Sequence, residues 1–167
     1  MIRNVRQILL LLCVAASAVP AHAVSQTVTV KASVVKPLTL TAVQGLDLGT
    51  FTLQPGTWSN AVVGISKTGT FTCNANVTCT GTPQVAQFTV SGTNNQTVKV
   101  TAPNVTLVNQ ADSSQTLLLT VDAPATIALP NSGTKGVDFD IGGTLTLNSS
   151  TADGNYSGIL NVTVDYQ

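Results

Sequence analysis

The chain has 167 residues, of which only 8% are charged, with seven basic side chains, seven acidic ones and a single histidine. Both arginines and the histidine fall within the first 22 residues, so the remainder carries five lysines against seven aspartates, a net charge of −2, and no glutamate. This excludes a nucleic-acid binder, which needs a basic patch, and removes the side chains that most often carry acid–base catalysis.

From the N-terminus, Arg3 and Arg6 precede an apolar run from Ile8 to Ala18, and Ala21-His22-Ala23 forms an A-x-A site. That order predicts a secretory signal peptide over residues 1–23, with an apolar run too short to span a bilayer. Cys13 follows Leu12, where a lipoprotein signal would place a small residue, so it is expected to leave with the peptide. The remaining 144 residues suit one domain with a core, and none of their apolar stretches reaches membrane-spanning length. The expected product is exported through the inner membrane to the periplasm, then to the cell surface or medium.

After the signal, short alternating runs recur between clusters of Gly, Pro, Asn and Ser. Residues 24–36 form an N-terminal extension whose alternation predicts a strand over Thr27–Val35. Val28, Val30, Ala32 and Val34 share one face; Thr27, Thr29, Lys31 and Ser33 share the other. Pro37 then disfavours helix at Lys36 and breaks the run. Within residues 37–167, further strands are expected at Leu38–Val43, Leu46–Leu53, Ala61–Ile65, Gly69–Cys73, Val85–Ser91, Thr97–Thr101, Thr116–Val121, Thr126–Leu129, Val137–Ile141, Thr144–Leu147 and Tyr156–Tyr166. About ten strands with turns this frequent predict an all-β, immunoglobulin-like antiparallel sandwich. In the last strand, Tyr156, Gly158, Leu160, Val162, Val164 and Tyr166 lie on one face, and nothing follows to cover its outer edge.

Cys73 and Cys79 are read as a disulfide stapling a local hairpin, worth about 2 kcal/mol for so short a loop. A zinc site would need further ligands that the chain lacks, and no cofactor is expected. No Gly-x-Ser-x-Gly elbow occurs, and a serine nucleophile would lack its usual base. Asp138 and Asp140 share one strand face and could join Asp153 around Ca²⁺ or serve a carboxylate hydrolase, but no complete oxygen-ligand loop is readable, and the plainer reading is a solvated face with Val137 and Phe139 inside. Trp58, the only tryptophan, could stack on a sugar as a ligand contact of a self-complete secreted sandwich, or pack over a core edge.

The two end strands carry the sharper reading. They either pair within one molecule or join molecules by strand addition, the first strand of one copy completing the sheet of the next. A head-to-tail contact of that kind builds a filament.

Two resemblances bear on this choice. Leu46-Asp47-Leu48-Gly49-Thr50, Ala86-Gln87-Phe88-Thr89-Val90-Ser91-Gly92, Ile141-Gly142-Gly143-Thr144-Leu145 and the closing Gly154-x-Tyr156-x-Gly158 with Val162-Thr163-Val164-x-Tyr166 resemble a secreted bacterial family of unknown function, DUF4402. Gly154, fourteenth from the C-terminus, and the penultimate Tyr166 resemble the C-terminal signature of chaperone–usher pilins. The spacing, with Gly56-Thr57-Trp58-Ser59-Asn60, is similar to archaic pilins related to spore coat protein U. The pilin resemblance implies a sandwich lacking its last strand. A periplasmic chaperone lends that strand, and an outer-membrane usher exchanges it for the extension of another copy or a sister pilin. It assigns Val28, Val30, Ala32 and Val34 as donor knobs. It places Gly154, Tyr156, Leu160, Val162, Val164 and Tyr166 along the acceptor groove. It implies a non-enzymatic pilus or fimbria subunit serving adhesion or biofilm formation.

Overall fold

The computed structural model describes residues 23–130 and 135–167. Nearly all of the expected signal peptide, and the turn that the sequence predicts at Asn131-Ser132-Gly133, lie outside them. The chain divides into an N-terminal unit, residues 1–33, and a second unit, Val34–Gln167. Residues 23–33 carry no strand, and their side chains are exposed. The strand expected at Thr27–Val35 is therefore not formed.

The second unit is an all-β antiparallel sandwich. Its strands are β1 (Thr39–Gln44), β2 (Thr50–Leu53), β3 (Ala61–Ile65), β4 (Phe71–Thr72), β5 (Val77–Thr80), β6 (Ala86–Ser91), β7 (Gln96–Thr101), β8 (Val105–Asn109), β9 (Thr116–Asp122), β10 (Thr126–Leu129), β11 (Val137–Leu147), β12 (Tyr156–Ser157) and β13 (Thr163–Tyr166). One large sheet runs β1-β6-β11-β9-β8-β12, with β3 also on β11 and β4 on β3; two small sheets, β10-β7-β13 and β2-β5, complete the fold.

Strand β11 is the spine. The sequence predicts two strands here, broken at Gly142-Gly143, but one strand runs through. Val137–Ile141 pairs with β6, Gly143–Leu147 pairs with β3, and Gly142–Leu145 pairs with β9 on the other side. The glycines mark this change of partner. A Cβ on Gly142 would collide with the backbone of Ile65 and Ser66, and one on Gly143 would press on the Leu119 side chain. Close backbone approach, not a turn, is what needs glycine here.

The core forms two clusters along this spine. The first joins Ala86, Phe88, Val90, Phe139 and Ile141 of the large sheet to Val98, Val100 and Leu129 of the β10-β7-β13 sheet. Phe88 and Phe139 stack within it with centroids 5.7 Å apart. The second joins Ala61, Val63, Val105, Leu119, Leu145 and Leu147 of the large sheet to Val77 of β5, with Phe51 and Leu53 of β2 packed on it. Alternation along each strand sends these residues inward and Thr, Ser, Asp and Gln outward.

Cys73 and Cys79 form the disulfide, with Cα atoms 6.2 Å apart. It does not staple a hairpin, however. Strand β4, just before Cys73, belongs to the large sheet, whereas β5, which holds Cys79, pairs with β2. The bond ties the chain where it crosses between layers.

Candidate functional site

The expected closing strand, Tyr156–Tyr166, is two strands in two sheets. Tyr156 and Ser157 pair with Asn109 and Val108 of β8. Thr163–Tyr166 pairs with Thr101–Val98 of β7. Residues 158–162 cross between the layers with no strand pairing. The inward alternation nevertheless persists: Leu160, Val162, Val164 and Tyr166 all pack on the first cluster, and Leu160 touches the second as well. Alternation is a property of extended backbone, and an extended segment keeps it whether or not it is paired.

Where this segment leaves β8, the sandwich is open. A groove of about 1170 Å³ lies between residues 42–53 on one side and residues 151–158 with Leu160 on the other. Its floor is apolar: Phe88, Val105, Leu107, Leu117, Leu119, Leu145 and Leu147. The only charged side chains in its lining are Asp47 and Asp153. Among the described residues, β2 pairs only with β5, and β13 only with β7, so the two small sheets each present an unpaired edge and are not joined to each other.

Both walls are held from behind. Asp47 exchanges backbone hydrogen bonds with Gln84, at 3.0 and 2.8 Å, and its carboxylate accepts from the Gly49 N–H at 2.8 Å. On the opposite side the buried Asn109 donates from Nδ2 to the Asp153 carbonyl at 2.8 Å and accepts from the Ala111 N–H at 2.9 Å. Gly154, with φ at 137°, lies directly against the Asn109 amide, where a Cβ would clash. The Gln110 N–H donates to the Asn155 carbonyl at 2.8 Å.

The six residues grouped by sequence as an acceptor wall therefore separate. Gly154, Tyr156 and Leu160 line the groove; Val162, Val164 and Tyr166 do not, because the crossing carries them over the closed first cluster. The Tyr156 hydroxyl donates to the Ala152 carbonyl at 2.9 Å, which stiffens the wall. The floor residues Leu107, Leu117 and Leu119 and the anchor Asn109 were not identified by sequence. Strand β8 is short, opens just after Pro103-Asn104 and shows only two inward apolar side chains; the Leu117–Leu119 run was legible as a strand but not as a floor.

Val28, Val30 and Val34 are 84%, 87% and 92% exposed, and Ala32 is exposed too. Trp58 is half-buried against the second cluster, and its indole N–H donates to the Gln54 carbonyl at 2.9 Å. That N–H is already used internally. Asp138 accepts from the Thr89 hydroxyl and Asp140 from the Gln87 amide, both on the outer face of β11, whereas Asp153 lines the groove. Among the described residues, no three His, Cys, Asp or Glu side chains converge into a metal-binding group, and no helix is long and apolar enough to cross a membrane.

The profile of a family described as Domain of unknown function (DUF4402) matches residues 38–166. The chain belongs to this family. The match spans every strand of the DUF4402 sandwich, both groove walls and the closing Gly154–Tyr166 segment, and begins just after the extension. No curated protein and no solved structure matches the chain.

Proposed function

We propose that this protein is a structural subunit of a pilus- or fimbria-like surface fibre. It is completed by a β-strand donated from another subunit, and its role is adhesion or biofilm formation rather than catalysis. The observation that carries this reading is the open apolar groove that lies between the 42–53 segment, which holds the unpaired edge of β2, and the 151–158 segment with Leu160. A strand that lies in it beside β2 and Gly158–Leu160, and that extends past Leu160 along the free edge of β13, would join β10-β7-β13 and β2-β5 into one continuous sheet. The sandwich would then be immunoglobulin-like and complete.

Residues 24–34 have the right chemistry for that strand. Four apolar side chains at period two match an apolar floor, and burying them contributes roughly 6–10 kcal/mol before the costs of association. Lys31 lies on the opposite face, and the groove presents Asp47 and Asp153 with no cation. The expected signal peptide delivers the chain across the inner membrane. An unfilled groove and exposed edges need protection before assembly, which is the task of a periplasmic chaperone, and an outer-membrane usher would then exchange the chaperone's strand for a subunit's.

The test removes residues 24–34. The full chain should form ladders of oligomers, while the truncated chain should stay monomeric. A synthetic peptide of residues 24–35 should then raise the truncated chain's melting temperature in a concentration-dependent way, as expected for binding to the folded form alone. Oligomer ladders that persist without residues 24–34 would overturn the reading.

A further inference from the structure

A chain that carries both a groove and a strand to fill it can close on itself or link to a neighbour. Three hydrogen bonds at the start of the sandwich bear on that choice. The Lys36 N–H donates to the Thr93 hydroxyl at 2.6 Å, the Thr93 N–H donates to the Tyr166 hydroxyl at 2.7 Å, and the Tyr166 hydroxyl donates to the Lys36 carbonyl at 2.7 Å. They form a closed ring linking the first residues of the domain, the β6–β7 turn and the end of β13. Both main-chain polar groups of Lys36 are thereby used.

We infer that this ring directs the extension into the groove of a second copy and withholds it from its own. The argument rests on the strand-donation reading and on position. Lys36 is held beside Tyr166, whereas the groove wall begins at Leu160, six residues back along the same segment and so roughly 20 Å away. To fill its own groove, the extension must reverse at Lys36-Pro37 and run back beside Tyr166, Val164 and Val162. A tight turn there takes Lys36 as its first residue and Pro37 as its second, and it closes on the Lys36 carbonyl. That carbonyl already accepts from the Tyr166 hydroxyl, and swinging Lys36 round breaks its bonds to Tyr166 and Thr93, so the ring opposes the reversal. An extended Lys36 costs nothing when the strand enters another molecule. Tyr166 and Thr93 are thus positioning residues for the donor strand.

Paired cysteines read the choice directly. In the full chain, Val30→Cys and Leu107→Cys together can form a disulfide either within one copy, giving a faster-migrating monomer, or between copies, giving a ladder on a non-reducing gel. With the ring intact the ladder should dominate. Tyr166→Phe, which keeps the aromatic side chain on the first cluster but loses the hydroxyl, and separately Thr93→Val, which keeps the Thr93 N–H, should each shift the product toward internally linked monomer by roughly tenfold, the loss of one or two hydrogen bonds. Thr93→Ser should restore the ladder. Because Thr93→Val leaves the Tyr166 contacts in place, it reports on the ring even where Tyr166→Phe weakens the fold. An unchanged ratio of ladder to closed monomer in both variants would overturn the role of the ring while leaving strand donation standing. Failure to form either linkage in every variant would overturn both.

Discussion

The two halves of the sandwich are built from the same strand chemistry and end in different states. Around the first cluster, β1, β6 and the first half of β11 face a three-stranded sheet, and Val90, Val98, Leu129 and Ile141 have no accessible surface. Around the second, β3, β9, β8 and the second half of β11 face only β2-β5, and Leu107 and Leu117 are left half-buried under the groove. Their composition is alike, so hydrophobicity does not separate them. Coverage does: one half has a partner layer across its width, and the other is left open along the groove. Leu46 and Leu160 touch both clusters and mark the boundary.

The sharpest way to break this comparison is a cavity on each side of it. Ile141→Ala in the closed half should cost about 2–5 kcal/mol in urea unfolding, because a fully buried site cannot collapse without loss. Should Leu107→Ala in the open half cost as much in the isolated subunit, the groove is not open in solution. A charge sharpens the same contrast. Leu107→Asp should change the stability of the isolated subunit by no more than about 1 kcal/mol, since its side chain reaches water, yet it should abolish oligomer ladders by placing an unpaired carboxylate under the incoming strand. Val162→Asp should behave in the reverse manner and damage the fold itself. Size-exclusion chromatography beside far-ultraviolet circular dichroism distinguishes the two outcomes.

The smallest effect concerns the seam between the halves. Asp122 pairs in register with Gly142, and its carboxylate accepts from the Lys67 N–H at 2.9 Å while forming an ion pair with the Lys67 ammonium. Partial desolvation raises its pKa, but the Lys67 bonds and charge outweigh this and hold the carboxyl below its ordinary 3.8. A depressed folded-state pKa stabilises the fold above pH 3.8 and loses that contribution as pH falls through the lower folded value. Both partners are more than a third exposed, so the contribution is at most about 1 kcal/mol. Asp122→Asn should flatten the acid limb of stability below about pH 4. An acid limb identical to that of the natural chain would show that the seam pair adds nothing.

Particular strands show what was legible from residues alone. Ala61–Ile65 was read at its observed bounds, because three inward apolar residues and a following turn leave little choice. β5 and β8 were missed: Val77–Thr80 has one buried residue, and Val105–Asn109 takes its meaning from the neighbours it pairs with. Gly142-Gly143 reads locally as a break, yet the glycines are there so that β3 and β9 can flank the spine. The Thr27–Val35 alternation reads as a strand, and without a partner it forms none in this molecule.

Of the candidate site, Tyr156 and Leu160 were found through their alternation and Gly154 through the pilin resemblance, whereas the floor, Asn109 and the Lys36–Thr93–Tyr166 ring were not. By itself the sequence determined which face of each strand is apolar, since a period of two follows from extended backbone whatever its partners. Only the tertiary structure decided which sheet each strand joins, where β11 changes neighbours, and that 156–166 crosses from one layer to the other. Those depend on hydrogen bonds between residues far apart in the chain, and no local pattern encodes a partner. The groove belongs to the same class, because its walls, residues 42–53 and 151–158, lie some hundred positions apart in the chain.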